Sequence, residues 1–554
     1  MLKILPLGGT GTVTKNMYVY EYLKGGKVID RLIVDCGIGF PDEEMLGVDL
    51  LIPDASYLFG KEKTIRGLFL THGHDDHIAG LPYILPQLNR NIPIFASKLT
   101  AGFAENTLED FGIKKKIQAI DDNQIINLGN FAIETISVTH SVPDTKHLII
   151  RTPEGILYHG TDFKFDWTPV DGKKLDLQKM AQVGQEGILC LLTDCLRVEK
   201  DGYSLSESSL RDGLVREARG VKGKLIVTTM SSNIHRIQQA VDVAAEFGRK
   251  TVFIGRSVEQ NVRVAERLGF LRLPKNMIIA KKQAKKLPPQ KTCLIVAGSQ
   301  GQIDSSLARM SKNEYLLAQI RPGDKVVFAA DPIPGNEKAV YQVIDNFIKL
   351  GASVSYHDIY DDLHVSGHAS AGELSLFLTL LKPRYVMPIG ATFRQMSHFR
   401  DIAKPLGFDK KDFFLLEEGQ FLEVERGQAK KGEKIKLKTI IVDGLGIGDV
   451  GKIILAERRK MANNGMAIAI IPVSEKSGRV VGQPEIITRG FVFVRDAQEL
   501  LADAGRLVGT IAPQGTKITN WKEAKEKIVT QLTQLFFTET QREPLVLAMM
   551  VKIN

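Results

Sequence analysis

Cysteine is scarce in this chain, and its spacing excludes common cysteine chemistry. Only four cysteines occur in 554 residues, namely Cys36, Cys190, Cys195 and Cys293. No two of them have the two-residue spacing of a zinc ribbon or a dithiol redox motif. We therefore expect reduced, mostly buried thiols, as in a protein of a reducing compartment.

Long apolar runs are also missing. No stretch of about 18 apolar residues occurs, which is the length that a membrane-spanning helix needs. Residues 1–6 (MLKILP) do not resemble a secretion leader, which has a charged start and an apolar centre. The sequence predicts neither secretion nor a membrane partner, and we expect a cytoplasmic protein.

An excess of acidic residues is the third absence. The chain holds 73 Lys and Arg against 64 Asp and Glu, which gives a net charge of +9. Lysines cluster within residues 114–116, 281–286 and 430–438. These clusters are compatible with a polyanionic partner, but each of them is also typical of an ordinary solvated surface.

The pattern of apolar residues predicts an α/β protein with several domains. The length exceeds what one hydrophobic core usually supports. Short apolar strands dominate the first part, a strand–loop–helix rhythm typical of a parallel sheet follows, and a Gly- and Lys-rich stretch precedes a small α/β region. The predicted divisions are 1–205 and 364–425 for one discontinuous domain, 206–363 for an insert, 426–450 for a linker and 451–554 for a C-terminal domain.

The chemistry is concentrated in residues 71–77 (THGHDDH), directly after the apolar residues 67–70. Four potential ligands lie within this loop. Imidazole and carboxylate groups suit Zn²⁺ or Mn²⁺, and a tight loop lets alternate side chains face two ions. A lone histidine is usually a packing or surface residue, but packing does not explain a cluster of this density.

This loop reproduces the H-x-H-x-D-H signature, and through it the chain resembles the metallo-β-lactamase superfamily. The resemblance implies a further histidine and a bridging carboxylate after later strands, and candidates occur in the expected order. The implied metal ligands are His72, His74 and His140 for one ion, Asp76 and His77 for the other, and Asp162 as the bridge. Two Zn²⁺ ions are implied, with Mn²⁺ or Mg²⁺ as substitutes.

The insert resembles the β-CASP domain of the ribonuclease J family. Similar motifs stand at residues 193–194 (TD), 232–239 (SNIHRIQQ), 297–301 (AGSQG), 332–337 (PIPGNE) and 364–368 (HVSGH). The resemblance implies a metallo-β-lactamase αββα sandwich with an inserted β-CASP α/β domain and a small C-terminal α/β domain.

The same resemblance implies the roles of individual residues. His368 is the candidate general acid, because imidazole titrates near the operating pH, and Asp76 and Asp194 complete the implied catalytic set. The implied substrate-binding residues are Ser232, Asn233, Gly298, Ser299, His364, Val365, Ser366, Gly367 and His368.

The implied activity is 5′-to-3′ exonucleolytic degradation of single-stranded RNA that bears a 5′-monophosphate. Endonucleolytic cleavage and roles in mRNA decay and rRNA maturation are implied with it. Residues 442–446 and 487–492 are similar to a domain that supports dimer formation in the family, which implies a homodimer or homotetramer. A structural calcium ion is implied at Gly47, Asp49 and Asp443.

One departure leaves an alternative open. Family members tend to carry a further histidine ligand in a P-x-H-G-E-Y-R segment, whereas residues 388–394 here are PIGATFR, with Gly390 in place of that histidine. Glycine has no side chain that can bind metal. The alternative is a catalytically weak, RNA-binding partner subunit of an active ribonuclease, and an enzyme that acts on DNA or on a small ester is a third reading.

Overall fold

The computed structural model describes residues 1–88, 91–122, 124–316, 318–333, 335–444, 446–493 and 495–553. Pro334 and Leu445, which belong to two of the motifs above, lie outside the described residues. The chain forms two compact units, the first from residues 1–40 and 50–440 and the second from residues 41–49 and 441–554. In the part that is described, no helix has the length and apolar character needed to cross a membrane.

The first part of the large unit supplies most of two sheets. Its elements are β1 (Leu2–Gly8), β2 (Met17–Lys24), β3 (Lys27–Val34), β4 (Leu50–Ile52), β5 (Ile65–Leu70), α1 (Asp75–Ile78), α2 (Leu81–Ile84), β6 (Ile94–Ala96), α3 (Lys98–Asp110), β7 (Gln118–Ala119), β8 (Ile126–Leu128), β9 (Phe131–Ser137), β10 (Lys146–Thr152), β11 (Gly155–Gly160), α4 (Leu177–Glu186) and β12 (Ile188–Asp194).

An insert follows, built on a parallel sheet. Its elements are α5 (Leu210–Ala218), β13 (Leu225–Thr228), α6 (Ile234–Glu246), β14 (Lys250–Ile254), α7 (Arg256–Arg267), α8 (Lys281–Ala284), β15 (Thr292–Val296), α9 (Ser306–Ser311), β16 (Lys325–Phe328), α10 (Glu337–Lys349) and β17 (Ser353–Ser355). The strand order β14-β15-β13-β16-β17 and the parallel pairing confirm the predicted parallel insert.

The chain then returns to the two sheets of the first part. The returning elements are α11 (Ala371–Leu381), β18 (Tyr385–Ile389), α12 (Phe393–Ala403), β19 (Gln420–Glu425) and β20 (Gln428–Lys434). Among the described residues, one sheet has the order β20-β19-β1-β2-β3-β5-β6-β7 and the other β18-β12-β11-β10-β9-β8. Apolar side chains of both sheets, including Tyr20, Phe69, Leu148 and Leu192, form a shared buried core. This is the predicted sandwich.

The predicted linker, residues 426–450, starts as a hairpin instead. Glu425 pairs with Gln428, and strand β20 runs antiparallel to β19. The two turn residues, Arg426 and Gly427, have φ of 50° and 73°. Two consecutive positive φ values are typical of a type I′ turn, which matches the twist of a hairpin, so this Gly- and Lys-rich segment extends the sheet.

The second unit carries the C-terminal elements. They are β21 (Ile440–Asp443), β22 (Gly446–Ile447), α13 (Lys452–Asn464), β23 (Met466–Ser474), β24 (Glu485–Arg489), α14 (Gln498–Ile511), α15 (Trp521–Thr540) and β25 (Leu545–Ile553). The sheet order is β24-β23-β25. Strand β23 alternates buried and half-buried residues, and its buried side chains pack with Val508, Ile528 and Phe536 of the two long helices, which is the small α/β domain that was predicted.

Candidate metal centre and catalytic site

The predicted ligands gather because their strands end at one edge of the sandwich. His72 and His74 follow β5, His140 follows β9 and Asp162 follows β11. Strands β11, β12 and β18 are parallel neighbours, with Gly160 paired to Thr193 and Asp194 paired to Ile389. This register brings Asp162, Asp194 and Gly390 to neighbouring positions.

Four of the ligands form a compact group. Nitrogen Nε2 of His72 lies 3.0 Å from Nδ1 of His74, which lies 3.2 Å from Nε2 of His140. Oδ2 of Asp162 is 3.6 Å from Nε2 of both His72 and His140. Two nitrogens bound at about 2.0 Å to one tetrahedral Zn²⁺ would be about 3.3 Å apart, so this donor set fits a single ion.

Hydrogen bonds aim these imidazoles at the centre. Nδ1 of His140 donates to the carbonyl of Gly367 at 2.7 Å, which leaves Nε2 to face the other ligands. Nδ1 of His72 is 3.1 Å from the hydroxyl of Thr71. Partners of this kind set the tautomer and the orientation of metal-binding histidines.

Burial keeps the three imidazoles neutral. It holds the pKa of His72 and of His140 well below the ordinary value and lowers the pKa of His74 to about 3. Burial raises the pKa of Asp162, but the charges of His77 and His368 outweigh it and leave that pKa well below the ordinary value. Neutral imidazoles and an ionised carboxylate are the forms that bind a cation.

The second predicted ion has a less complete ligand set. Nε2 of His77 lies 3.6 Å from Oδ2 of Asp76 and 3.7 Å from Oδ2 of Asp162. The side-chain nitrogen of Asn16 lies 3.1 Å from the same Nε2 and 3.3 Å from Oδ2 of Asp76. Among the described residues, neither Asp76 nor His77 belongs to a group of three or more His, Cys, Asp or Glu side chains whose donor atoms all lie within 4.8 Å of one another.

Gly390 faces the place where a further ligand would stand. A Cβ atom built on Gly390 would lie 3.9 Å from Oδ1 of Asp162 and 3.7 Å from Oδ1 of Asp194. The φ of Gly390 is +59°, a value that histidine adopts more readily than most residues. A side chain at this position would therefore point at both carboxylates.

The half-buried His368 and the buried Asp194 form a pair beside the ligands. Nδ1 of His368 lies 2.8 Å from Oδ2 of Asp194, and Nε2 lies 4.0 Å from Oδ2 of Asp162. Burial lowers the pKa of His368, but the Asp194 and Asp162 charges outweigh burial and raise the pKa to about 9. The imidazole is thus protonated at neutral pH, and its Nε2 faces Asp162.

The loop of residues 364–368 connects the insert to this centre. His364 pairs with Asp331 at 2.7 Å, and the hydroxyl of Ser366 accepts a hydrogen bond from the His368 amide at 3.1 Å. Val365 is buried. Gly367 packs so closely on His140 that an added Cβ would lie 2.8 Å from the imidazole.

The other predicted RNA contacts lie at loop ends of the insert. Asn233 is buried and caps helix α6 by accepting a hydrogen bond from the amide of Arg236. The hydroxyl of Ser299 contacts the sulfur of Met230 at 3.6 Å, and the φ of Gly298 is +109°. The roles of Ser232, Asn233, Gly298 and Ser299 in substrate binding stay predictions.

Asp35 is a site residue that none of the sequence motifs includes. Its buried carboxylate accepts hydrogen bonds from Nδ1 of His77 and from the amide and hydroxyl of Thr71, all at 2.8 Å. It follows β3, which pairs in parallel with β5. A carboxylate directly after an apolar strand was the available signal, because the carboxyl ends of parallel strands meet at one edge.

The predicted calcium residues have protein partners in the second unit. Oδ2 of Asp443 contacts the Arg458 guanidinium at 2.5 Å, and Oδ2 of Asp49 accepts from the amide of Gly444 at 2.7 Å. Gly47 lies beside the same guanidinium. The calcium site stays a prediction.

The four cysteines are buried and free, as expected.

Known proteins match this architecture along the chain. The metallo-beta-lactamase superfamily model matches residues 10–155, the beta-CASP domain of ribonuclease J matches 222–347, and the ribonuclease J C-terminal domain matches 453–553. Ribonuclease J2 of Bacillus subtilis is 34% identical over 556 residues, which is 100% of this chain and 99% of that protein. The chain belongs to the ribonuclease J family.

Two further likenesses agree with that membership. Ribonuclease J 1 of Streptococcus pyogenes is 33% identical over 99% of this chain and 97% of its own. A protein of unknown function from Enterococcus faecalis shares the fold, with a TM-score of 0.55 and 16% identity over 76% of this chain and 99% of that chain. As a family member, the chain is a metal-dependent nuclease of the metallo-β-lactamase superfamily.

Proposed function

We propose that this chain degrades single-stranded RNA from a 5′-monophosphorylated end, in the 5′-to-3′ direction, with endonucleolytic cleavage as a second activity. The observation that supports this most is the His72, His74, His140 and Asp162 group beside the His368–Asp194 pair, in a chain that matches ribonuclease J relatives along its full length. Roles in mRNA decay and rRNA maturation belong to the same proposal.

The proposed cofactor is a pair of Zn²⁺ ions, for which Mn²⁺ or Mg²⁺ can substitute. His72, His74, His140 and Asp162 would hold the first ion. Asp76, His77 and Asp162 would hold the second with lower affinity, because Gly390 supplies no ligand. Ions bound there would lower the pKa of water and neutralise phosphoryl oxygens.

Side chains and amides of the protein protonate the leaving group and bind the phosphate. Nε2 of His368 donates a proton to the departing sugar oxygen, and Asp194 holds Nδ1 so that Nε2 keeps facing Asp162. The hydroxyl of Ser366 and the amide of Gly367 donate to phosphate oxygens. Exposed lysines attract the polyanionic strand without regard to base sequence.

The partner-subunit alternative is not favoured. It rests on Gly390 alone, whereas the first ligand group and the His368–Asp194 pair are both assembled.

We also propose that the protein acts in the cytoplasm as a homodimer or homotetramer. Size-exclusion chromatography with light scattering tests the oligomeric state.

The deciding experiment follows hydrolysis of a 5′-monophosphorylated RNA by the zinc-reconstituted protein, beside DNA of the same sequence and the His74→Ala variant. We expect progressive release of mononucleotides from RNA only, and none from the variant. Tight RNA binding without cleavage would favour the partner-subunit alternative, and equal cleavage of DNA would contradict the substrate assignment.

A further inference from the structure

A buried ion pair lies between the metal-binding part of the large unit and the insert. The guanidinium of Arg236 and the carboxylate of Glu207 form two parallel contacts, Nε to Oε1 at 2.8 Å and Nη2 to Oε2 at 3.0 Å. Both side chains are almost completely buried, with 3% and 2% exposed. None of the metal or catalytic roles above uses this pair.

Arg236 also donates to two backbone carbonyls from separate segments. Nη1 donates to the carbonyl of Ala329, directly after β16, at 2.6 Å. Nη2 donates to the carbonyl of Val365 at 3.2 Å. Val365 lies in the loop of residues 364–368, two residues before the carbonyl that orients His140 and three before His368.

Backbone hydrogen bonds at Glu207 connect the ion pair to the metal-binding part of the large unit. Its amide donates to Oδ2 of Asp166 at 2.8 Å, and the amide of Asp166 donates to the hydroxyl of Thr139, beside the metal ligand His140. Oε1 of Glu207 also accepts from the side chain of Asn233 at 3.3 Å. Burial raises the pKa of Glu207, but the charge of Arg236 outweighs it and lowers that pKa to about 2, so the pair is charged at neutral pH.

We propose that Arg236 and Glu207 are positioning residues that hold the 364–368 loop against the N-terminus of α6, and so set the distance between the RNA-binding insert and the metal centre. The planar guanidinium fork suits this role, because it binds a carboxylate through two bonds and still reaches two carbonyls. A lysine at position 236 has one point charge and cannot make all these contacts.

The expected change in KM for RNA rests on the proposed ribonuclease function. The expected change in amide exchange of the 364–368 loop does not depend on that function. Hydrogen–deuterium exchange of the full-length zinc-loaded protein measures this second change. We expect Arg236→Lys to accelerate amide exchange in residues 364–368 and at the start of α6, with exchange in the rest of both sheets unchanged. Glu207→Gln should accelerate exchange in the same two segments to a smaller extent.

A matched control exists in the insert. Arg249 is also buried and donates to the carbonyls of Gly223, Thr292 and Val221, none of which belongs to the 364–368 loop. Arg249→Lys should leave exchange in that loop as in the unmodified protein. Equal acceleration in both variants, or none in Arg236→Lys, would overturn the positioning role.

The kinetic readout separates positioning from general damage. For Arg236→Lys we expect KM for the 5′-monophosphorylated RNA to rise about tenfold, while zinc content and hydrolysis of bis(p-nitrophenyl) phosphate stay close to those of the unmodified protein. A parallel loss of zinc and of both activities would contradict the proposal. Failure of the unmodified protein to cleave RNA would refute the proposed function and leave the exchange result to decide the positioning role.

Discussion

At the scale of single residues, we propose that the histidines of the site divide into metal ligands and one proton donor. His72 lies in a group of four donor side chains, whereas His368 groups with the carboxylates of Asp162 and Asp194 only. Nδ1 of His368 is engaged by Asp194 at 2.8 Å, and its Nε2 is 4.0 Å from Oδ2 of Asp162. We expect His368→Ala to slow RNA hydrolysis by about 10² to 10⁴-fold with zinc content unchanged. We expect His72→Ala or Asp162→Ala to abolish RNA hydrolysis and zinc binding together. Initial rates beside elemental analysis check this, and equal activity in all four proteins would contradict the site.

The pH dependence of hydrolysis should report the His368–Asp194 pair. A general acid works in its protonated form, so the rate falls as pH rises through the pKa of His368. Asp194 contributes the largest upward shift of that pKa. We expect Asp194→Asn to move the alkaline limb of the kcat profile to lower pH by roughly one unit or more. A limb that stays in place would show that another group is the acid.

Position 390 tests the second ion with a single side chain. We expect Gly390→His to tighten binding of the second Zn²⁺ by about tenfold or more, because a Cβ at this position points at Asp162 and Asp194. Gly390→Ala is the control, since it carries the same positive φ without a ligand atom. Calorimetric zinc titration of the three proteins gives the answer, and identical second-ion affinity in all of them would refute our account of this departure.

At the scale of elements, one buried carboxylate joins three segments around the site. Glu373, on the first turn of α11, accepts hydrogen bonds from the amides of Ser370, Ser204 and Phe165 at 2.7 to 2.8 Å. We expect Glu373→Ala to lower the free energy of unfolding by about 3 kcal/mol or more, because several buried amides lose their acceptor. Glu373→Gln, which keeps one acceptor oxygen, should cost less. Urea unfolding compares them, and a loss below about 1 kcal/mol in the alanine variant would contradict this.

At the scale of the whole molecule, the net charge of +9 predicts RNA binding that weakens with salt. Lys282, Lys285 and Lys286 are exposed on the insert. We expect their replacement by glutamine to lower the slope of log K against log salt, by about 0.7 for each phosphate that the variant no longer neutralises. The exposed Lys522, Lys525 and Lys527 of the C-terminal unit give a matched triple variant with the same change in charge. An equal effect of the two triple variants would show that net charge, not the insert, guides the strand.

The sequence by itself determined the α/β fold class and predicted the ligands of the 71–77 loop, whereas His140 and Asp162 were predicted only through the resemblance to the metallo-β-lactamase superfamily. Residues 71–77 carry their ligands within one loop after one strand, so local spacing is enough to identify them, and strand and helix periodicity outlined the parallel insert. The hairpin at Arg426–Gly427 was missed because its signal is a pair of backbone angles rather than an apolar pattern.

Tertiary structure alone decided how the site is held. The carbonyl that orients His140 belongs to Gly367, 227 residues along the chain. Arg236, which pairs with Glu207, donates to the carbonyl of Val365, 129 residues further on. Asp35 reaches His77 only because β3 and β5 are neighbours in the sheet. Contacts of this kind depend on which strands become neighbours. The apolar periodicity of a segment predicts whether it forms a strand or a helix, but not which other segment it packs against.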